Sequence, residues 1–528
     1  MPGVNSFRST SSRTARGAVA GLLAAFTALA VAELAAGLVR PAAGPVTVVG
    51  GAVVDRTPAA VKDFAIRAFG EDDKTVLRLG ILLALAGFAV VLGILSLRYR
   101  RTGAASVVLF GLVGASAALG RPDSEGAADA LPSLAGALVG AAVLFVLAGR
   151  AAPAGSPPGD GGAGGGWSRR GFLAAAAVSA AAATAAGVAG RALSGRRGRG
   201  AVASRDGLVL PAPASPAPAL AAAAQLEVPG ISPFTTPGRD FYRVDTALVV
   251  PLVDAGTWRL RIRGEGVARP RDYTLAQLLA RPLIERDITL TCVSNEVGGP
   301  YVGTARWLGV PLAGLLAACG VRPPSQGGPA DQLVARSVDG MTLGSPVEDV
   351  MDGRDAMLAV GMNGEPLPFD HGFPVRMIVP GLYGYVSACK WITDLEVTTF
   401  DAYDPYWVKR KWARRAPVKT QARIDTPKPF ARPAAGTVVI AGVAWAQHRG
   451  ITRVEVSVDD GPWQDADLAA AGPVDAWRQW SYRWQAAPGG HTITVRATDG
   501  TGAVQTERRA RTVPDGASGR HSVFVTVP

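Results

Sequence analysis

The sequence predicts three consecutive parts: an α-helical membrane region, an α+β domain and an all-β sandwich. Three observations predict them. Uncharged runs of Ala, Leu, Val and Gly dominate residues 1–190. Between 225 and 415, short strand and helix patterns mix without a βαβ repeat. From 416 to 528, short alternating segments recur between Gly, Pro and Asp turns.

A spanning helix needs ~20 mostly apolar residues. Five runs qualify: 17–39, 76–97, 104–119, 131–149 and 171–190. Arg8, Arg13 and Arg16 precede the first. Arg98, Arg100 and Arg101 sit between the second and third, and Arg150, Arg169 and Arg170 between the fourth and fifth. Asp123, Glu125 and Asp129 fill one of the other connections, and the loop at Glu71, Asp72 and Asp73 is mixed. Cytoplasmic loops carry the excess of Lys and Arg, so the N-terminus is expected inside and everything after residue 190 outside. Arg191, Arg196, Arg197 and Arg199 run against this pattern. Ser168-Arg169-Arg170-Gly171-Phe172-Leu173 resembles a twin-arginine export signal, which would account for them; an ordinary basic flank is the other reading. The spans hold no histidine, so haem is not expected there; they anchor the chain or dock an electron carrier. Residues 151–166 read as a flexible loop, and 191–224 as a Pro/Ala-rich linker holding the soluble part off the membrane.

The formal charge is +12, with 48% hydrophobic and 18% charged residues. Basic clusters flank the apolar runs and the signs alternate elsewhere, so the charge reads as membrane topology rather than nucleic-acid binding. Cys292, Cys319 and Cys389 are too few, and odd in number, for a disulfide framework. No CxxC or Cys/His cluster suggests structural zinc.

Within the α+β part, 258–264 alternates strictly and reads as a strand with one charged face. Residues 274–280 read as a short helix capped by Thr274, and 312–319 as another ending at Gly320. Further strands are expected at 287–292, 375–379 and 391–398. There is no Gly-rich dinucleotide turn. In the last part, strands are expected at 437–441, 452–458, 479–484 and 491–497, with Asp459-Asp460-Gly461 as a hairpin turn. The pattern fits an immunoglobulin-like sandwich over 416–528, with His448, His491 and His521 on its surface or loops.

Two constellations carry chemistry. Cys292 ends a strand and precedes a Gly/Pro loop running through Asn295 to Pro300. A thiolate there suits a soft or redox-active metal; a buried free cysteine is the plainer reading. The second constellation is Asp370-His371-Gly372-Phe373-Pro374-Val375-Arg376, then Pro380-Gly381, Tyr383-Gly384-Tyr385 and Lys390-Trp391. Arg offers a planar fork and Lys a point charge to phosphate. This suits an anionic, ring-bearing ligand, or else a structural loop with surface cations.

Together these residues resemble the molybdopterin-binding domain of the sulfite oxidase family. Cys292-Val293-Ser294-Asn295 keeps the Cys and Asn of that family's Cys-Ala-Gly-Asn-Arg-Arg loop. Ala305-Arg306-Trp307-Leu308-Gly309-Val310-Pro311-Leu312 matches a second family segment throughout. Asp370 through Arg376, Val379-Pro380-Gly381 and Lys390-Trp391 follow in order, and Met362 through Pro368 adds to the likeness. The resemblance spans residues 225–528. Beyond the α-helical transmembrane region (1–190) and linker (191–224) read from composition, it implies a sulfite-oxidase-like molybdopterin domain (225–415) and a dimerisation-type domain (416–528), the last through Val443-Ala444-Trp445 and Val454 to Asp459.

It further implies a molybdenum–molybdopterin cofactor. Cys292 would ligate the metal. Tyr242, Arg243, Asn295, Ser337, His371, Arg376 and Lys390 would hold the pterin and its phosphate. Arg306 faces either the substrate or a structural salt bridge. The family's two loop arginines are replaced by Glu296 and Val297. A carboxylate near the metal would repel a sulfite dianion by ~1–4 kcal/mol depending on dielectric, which argues against sulfite as substrate. The expected function is oxygen-atom transfer on a small molecule, in either direction, at the extracytoplasmic face of the cell membrane. Electrons would pass to or from a separate protein or quinone-linked carrier, and the assembly would be a homodimer. A cofactor-free membrane-anchored binding protein on the same scaffold is the alternative.

Overall fold

The computed structural model describes residues 3–57, 61, 68–69, 73–151 and 169–528. Most of the predicted 151–166 loop, the loop at Glu71 and Asp72, and Ser168 of the twin-arginine-like segment lie outside them. The chain divides into two compact units, Met1–Gly200 with Ala247–Val250, and Ala201–Thr246 with Pro251–Pro528.

The first unit is helical. It contains α1 (Gly3–Leu38), α2 (Pro45–Arg56), α3 (Asp73–Ser96), α4 (Arg100–Leu119), α5 (Leu131–Ala151) and most of α6 (Arg169–Asp206). Five stretches are long and apolar enough to cross a membrane: Arg13–Leu38, Thr75–Ser96, Arg100–Leu119, Ala127–Ala151 and Arg170–Asp206. All five predicted runs coincide with them, the first two running one residue further. The short α2 was not foreseen; at 12 residues it is too short to span. Small residues bring the helices together, as expected where no water drives association. A Cβ at Gly21 would collide with the Ala89 carbonyl, and one at Gly93 with the Gly17 carbonyl. One at Gly140 would stand 2.7 Å from Ala28 Cβ. Where α1 ends, Arg40 donates to Asp123 (2.9 Å) and Asp129 (3.0 Å).

The linker expectation is corrected. Helix α6 continues to Asp206 instead of ending at 190. The Pro/Ala segment after it is laid along the folded domain, not held free. Ala214 N–H donates to Leu283 O (2.8 Å), Glu285 N–H to Ser215 O (2.9 Å), and Ser215 bridges Ile284 in parallel. Leu208, Leu210 and Leu220 pack on the main core. Proline removes only its own donor, so the intervening residues still pair with an open strand edge.

The second unit contains two mixed α/β layers and a pair of β-sheets. One layer holds β1 (Arg259–Gly264), β2 (Arg271–Thr274), β5 (Gln332–Ser337), β6 (Thr342–Pro346) and β10 (Ile392–Thr398), in the order β2-β1-β10-β5-β6. Only the β1/β10 pair is parallel. In β1, Leu260 and Ile262 are buried and Arg263 bonds Asp394 and Glu396 of β10, as the alternation predicts. The predicted cap is present: Thr274 and Gln277 form a capping box on α7 (Leu275–Leu279).

The other layer holds β3 (Ile284–Thr291), β4 (Val302–Pro311), β7 (Met357–Met362), β8 (Glu365–Pro366) and β9 (Arg376–Ile378). Its order is β3-β4-β7-β8, with β9 pairing β7. The short helices α8 (Leu312–Ala318), α9 (Val347–Met351) and α10 (Gly384–Ser387) fill the connections.

The last region forms two four-stranded antiparallel sheets. One is β11 (Gln421–Thr426), β12 (Gly436–Trp445), β16 (Arg478–Ala486) and β15 (Asp467–Leu468). The other is β14 (Gln464–Asp465), β13 (Ile451–Val458), β17 (Gly489–Asp499) and β18 (His521–Val527). Asp459 and Asp460 both have positive φ (53° and 55°), as the predicted hairpin turn requires. His521 departs from expectation. Its Nδ1 accepts the Ile424 N–H (3.0 Å), its ring packs against Gly298, and burial lowers its pKa to about 4.

In the helical unit, Gly93→Leu is expected to force α1 and α3 apart and to lower the yield of folded protein several-fold. Size-exclusion chromatography in detergent beside a Gly80→Leu control, at a position with open space, measures this.

Candidate active site

Cys292 follows directly on β3, which pairs with β4 from Ile284↔Gly309 to Thr291↔Val302. Its amide donates to Tyr301 O (2.9 Å), closing the loop between them. Asn295 shapes that loop: its N–H donates to Cys292 O (3.0 Å), and its side-chain oxygen accepts the Tyr301 N–H (2.8 Å). The Ser294 N–H points at Cys292 Sγ (3.4 Å). The thiol is buried, which raises its pKa; the Ser294 amide and the Lys390 charge oppose the rise. A metal that displaces the proton removes this penalty. Among the described residues no three His, Cys, Asp or Glu side chains converge on an ion site, so a metal here would bring most of its ligands with it.

Arg376, at the start of β9, is the unusual member. It is 6% exposed, and its Cζ lies 5.0 Å from the centre of the Trp307 ring. Nη1 donates to His371 O (3.2 Å), but the buried Nε has no partner. Burial lowers its pKa to about 10. Among the described residues no carboxylate pairs with it. An uncompensated buried cation is worth several kcal/mol of destabilisation, and a phosphate would answer it in bidentate fashion. The orphaned Nε and the Cys292 thiol, which share Tyr242 as a neighbour, fit a phosphate-bearing cofactor that carries a soft metal.

His371 closes a 3-10 turn, Phe369–His371, behind which Gly372 takes φ 112°. Its Nε2 lies 3.0 Å from Gly238 O, and a carbonyl can only accept, so Nε2 carries the proton and Nδ1 is a free acceptor. Burial, then the Arg376 charge, lowers its pKa to about 4. Tyr242 is driven well above the ordinary phenol range by burial and by Cys292, against the pull of Arg376, so it stays a neutral donor. Arg243 and Lys390 both bond Asp245 (3.0 and 2.9 Å); Lys390 also donates to Asp370 O (3.0 Å) and sits 4.6 Å from the Trp391 ring centre. Ser337 lies opposite Ile392, beside that segment, with its hydroxyl committed to Asp339.

The structure therefore brings five of these residues into one electrostatic network: Tyr242 feels both Cys292 and Arg376, Lys390 reaches Cys292 and His371, and Arg376 reaches His371. It does not bring Arg306. That residue lies opposite Asp287 in the β3/β4 ladder and binds it with both arms of its fork (2.8 Å each). Trp307, its neighbour, points the other way into the core with Ile288 and Leu290, beneath Arg376. Strand alternation puts the two on opposite faces, so the expected catalytic place of Arg306 is corrected to a cross-strand ion pair. Trp307 and the Gly238 carbonyl lie beside these residues without having been given a role from sequence, and Asp245 closes the segment from Phe241 that resembles the family's first pterin contact. Cys389 and Cys319 are buried thiols, as expected.

A buried thiol, a buried guanidinium without a carboxylate, a neutral imidazole and a neutral phenol form a set that can hold an anionic, metal-bearing cofactor. Residues 247–407 match the oxidoreductase molybdopterin binding domain family. The chain is 31% identical over 293 residues to mitochondrial sulfite oxidase of Mus musculus, covering 48% of this chain and 53% of that protein. It is 32% identical over 292 residues to sulfite oxidase of Gallus gallus (47% and 62%). It is 34% identical over 199 residues to an NADH nitrate reductase of Oryza sativa (33% and 21%). A solved structure, the sulfane dehydrogenase SoxCD of Paracoccus pantotrophus, aligns at 26% identity over 55% of this chain and 81% of that one, with a TM-score of 0.49. Residues 247–407 thus form a molybdopterin-binding oxidoreductase domain similar to that of sulfite oxidases, and the cofactor of that domain is molybdenum–molybdopterin. The chain spans about half the length of the mammalian relatives it matches.

Asp287 is 1% exposed on its side chain, so Arg306→Met is expected to destabilise the fold by roughly 3–5 kcal/mol. The double variant Asp287→Asn/Arg306→Gln should recover most of this in denaturant titrations, with molybdenum content per folded protein unchanged. His371 makes a second prediction. Its folded pKa of about 4 lies below the ordinary 6.5, so the unfolded chain takes up the proton first. Stability is full above pH 6.5 and falls as pH drops towards 4, by roughly 3 kcal/mol for this residue. Thermal midpoints measured across that range should flatten in His371→Gln, with His521 supplying the remaining slope.

Proposed function

We propose that this chain is a membrane-anchored, molybdenum-cofactor-dependent oxidoreductase that catalyses oxygen-atom transfer on a small molecule. It works on the extracytoplasmic side and exchanges electrons with a separate carrier. The observation that carries this reading is Arg376: a buried guanidinium with an unpartnered Nε and no carboxylate, sharing Tyr242 as a neighbour with the buried thiol of Cys292 at a strand end. The five apolar helices supply the anchor. The basic flanks give the orientation, and the twin-arginine-like segment accords with export of a domain loaded with cofactor beforehand. The C-terminal sheets are read as an immunoglobulin-like sandwich that pairs two copies.

Within this reading each residue has a task. Cys292 would give its thiolate to the metal, and Arg376 would grip the pterin phosphate. His371, fixed as the Nε2–H tautomer by Gly238 O, would accept a hydrogen bond at Nδ1. Tyr242 would donate one. Lys390 and Arg243, joined through Asp245, would hold the turn from Asp370 in place. When bound, the cofactor supplies two-electron oxygen-atom transfer; the protein supplies ligation, orientation and exclusion of water. Glu296 is exposed at the loop beyond Cys292, where its charge disfavours dianionic substrates.

Metal and pterin analysis tests the proposal. Wild-type protein should carry near-stoichiometric molybdenum. Cys292→Ser should lose the metal while its circular dichroism stays unchanged. Arg376→Met should lose both pterin and metal at least ten-fold, yet its cofactor-free form should be no less stable than the wild type, since a buried unpaired cation has been removed. Wild-type protein without molybdenum would overturn the reading.

A further inference from the structure

Beside the site lies a surface of quite different composition. Residues 403–415 run Tyr-Asp-Pro-Tyr-Trp-Val-Lys-Arg-Lys-Trp-Ala-Arg-Arg. Lys409, Lys411, Arg414 and Arg415 are exposed. Arg414 bonds Asp404 (2.9 Å); among the described residues no carboxylate forms an ion pair with Lys409 or Lys411. A second loop meets this one where Ala413 N–H donates to Pro514 O (2.9 Å). It brings Arg508, Arg509 and Arg511, all exposed. Two separate loops that carry exposed cations are thus joined at Ala413 and Pro514.

The aromatic rings between those cations form a series. Ring centres lie 5.1 Å apart for Tyr406 and Trp407, 6.0 Å for Trp407 and Trp412, and 5.5 Å for Trp412 and Tyr385. Tyr385 donates its hydroxyl proton to Ala413 O (2.7 Å), which fixes the inner end. Tyr385 follows Gly384. A Cβ on Gly384 would stand 3.8 Å from Thr291 O and 4.0 Å from the Tyr242 hydroxyl. Thr291 is the residue before Cys292. The ring series thus runs from the basic surface to the backbone that presents the thiol.

We propose that this surface is the docking face for a soluble one-electron carrier protein whose redox group is rimmed by acidic side chains. Exposed cations steer such a partner and orient it, and Trp, Tyr and Arg are the residues that interfaces favour. Anionic lipid would be met by the cations alone; the ring series leading to Cys292 serves only a partner that exchanges electrons. An oxygen-atom transfer moves two electrons, so each turnover engages the face twice, one carrier molecule giving or taking one electron each time. The inference rests on the redox reading above.

The test uses the full chain in nanodiscs of neutral lipid. The probes are horse cytochrome c, which is basic, and the same protein with its lysines succinylated, which is acidic. Biolayer interferometry at low salt should show binding of the succinylated form and not of the native one, falling about ten-fold or more at ~0.3 M NaCl. The variant Lys409→Glu/Lys411→Glu/Arg511→Glu should weaken it about ten-fold or more, while Arg269→Glu/Arg432→Glu/Arg483→Glu, three exposed cations elsewhere, should change it less than about three-fold. Equal losses in the two triple variants would overturn the proposal. So would vesicles of anionic phospholipid that bind the wild type but not the first variant, with succinylated cytochrome c indifferent to it. Molybdenum content of the same preparations is measured separately. Charge-selective binding by metal-free protein would refute the redox reading and leave the surface standing, whereas loaded protein without selectivity would do the reverse.

Discussion

Arg376 puts a full positive charge into the core of the second unit, over the face of Trp307 and away from every carboxylate among the described residues. Elsewhere in the same layer a half-buried arginine is matched in the fold itself, as Arg306 is by Asp287 across one ladder. Arg376 is matched by a carbonyl on one arm and by an indole face. These ease the charge without neutralising it. The surroundings accommodate the deficit in other ways: His371 stays neutral, and Tyr242 stays protonated. Such a residue leaves a donor and a charge that an anion from outside the chain could answer.

The sulfur is presented by a second device, which reaches across the boundary between the α+β layers and the C-terminal sheets. Gln447 donates to Thr289 O and to Thr291 Oγ1 (2.8 and 2.9 Å). Arg423 donates to Gly299 O (2.9 Å), and the His521 ring fills the space at Gly298 where a side chain would otherwise go. The loop after Cys292 is therefore backed by residues more than a hundred positions later in the chain. This ties the C-terminal sheets to the chemistry: they set the shape of the cysteine loop.

Much of this was legible in sequence where the signal is local. The apolar runs, the alternation of 258–264, the Thr274 cap and the Asp459-Asp460-Gly461 turn each depend on a few neighbouring residues, and each appears in the structure. The residues of the cofactor site were legible as ordered motifs. Their partners were not, because Gly238, Asp245 and Trp307 lie far from His371, Lys390 and Arg376 along the chain, and no spacing rule links them. The Pro/Ala segment misled for a related reason. Composition says how stiff a stretch is, but whether it lies free depends on an open strand edge at Leu283–Glu285. Arg306 misled because a motif was read as a unit although strand alternation sends its members to opposite faces.

The contrast between Arg376 and Lys390 separates two jobs that sequence motifs lump together. Lys390 shares Asp245 with Arg243 and also holds the Asp370 carbonyl, so its charge is partly answered and its geometry fixed. An anion there would meet a cation that already has a carboxylate partner. Arg376 has an unused donor and an unanswered charge, so the same anion gains most at that position. The division fits a site in which one cation provides the binding energy for a phosphate and the other keeps the 370–376 turn in register to receive it. The buried turn behind Gly372, where a Cβ would press 3.1 Å from Lys390 Cβ and 3.0 Å from Arg376 Cβ, is where the two jobs meet.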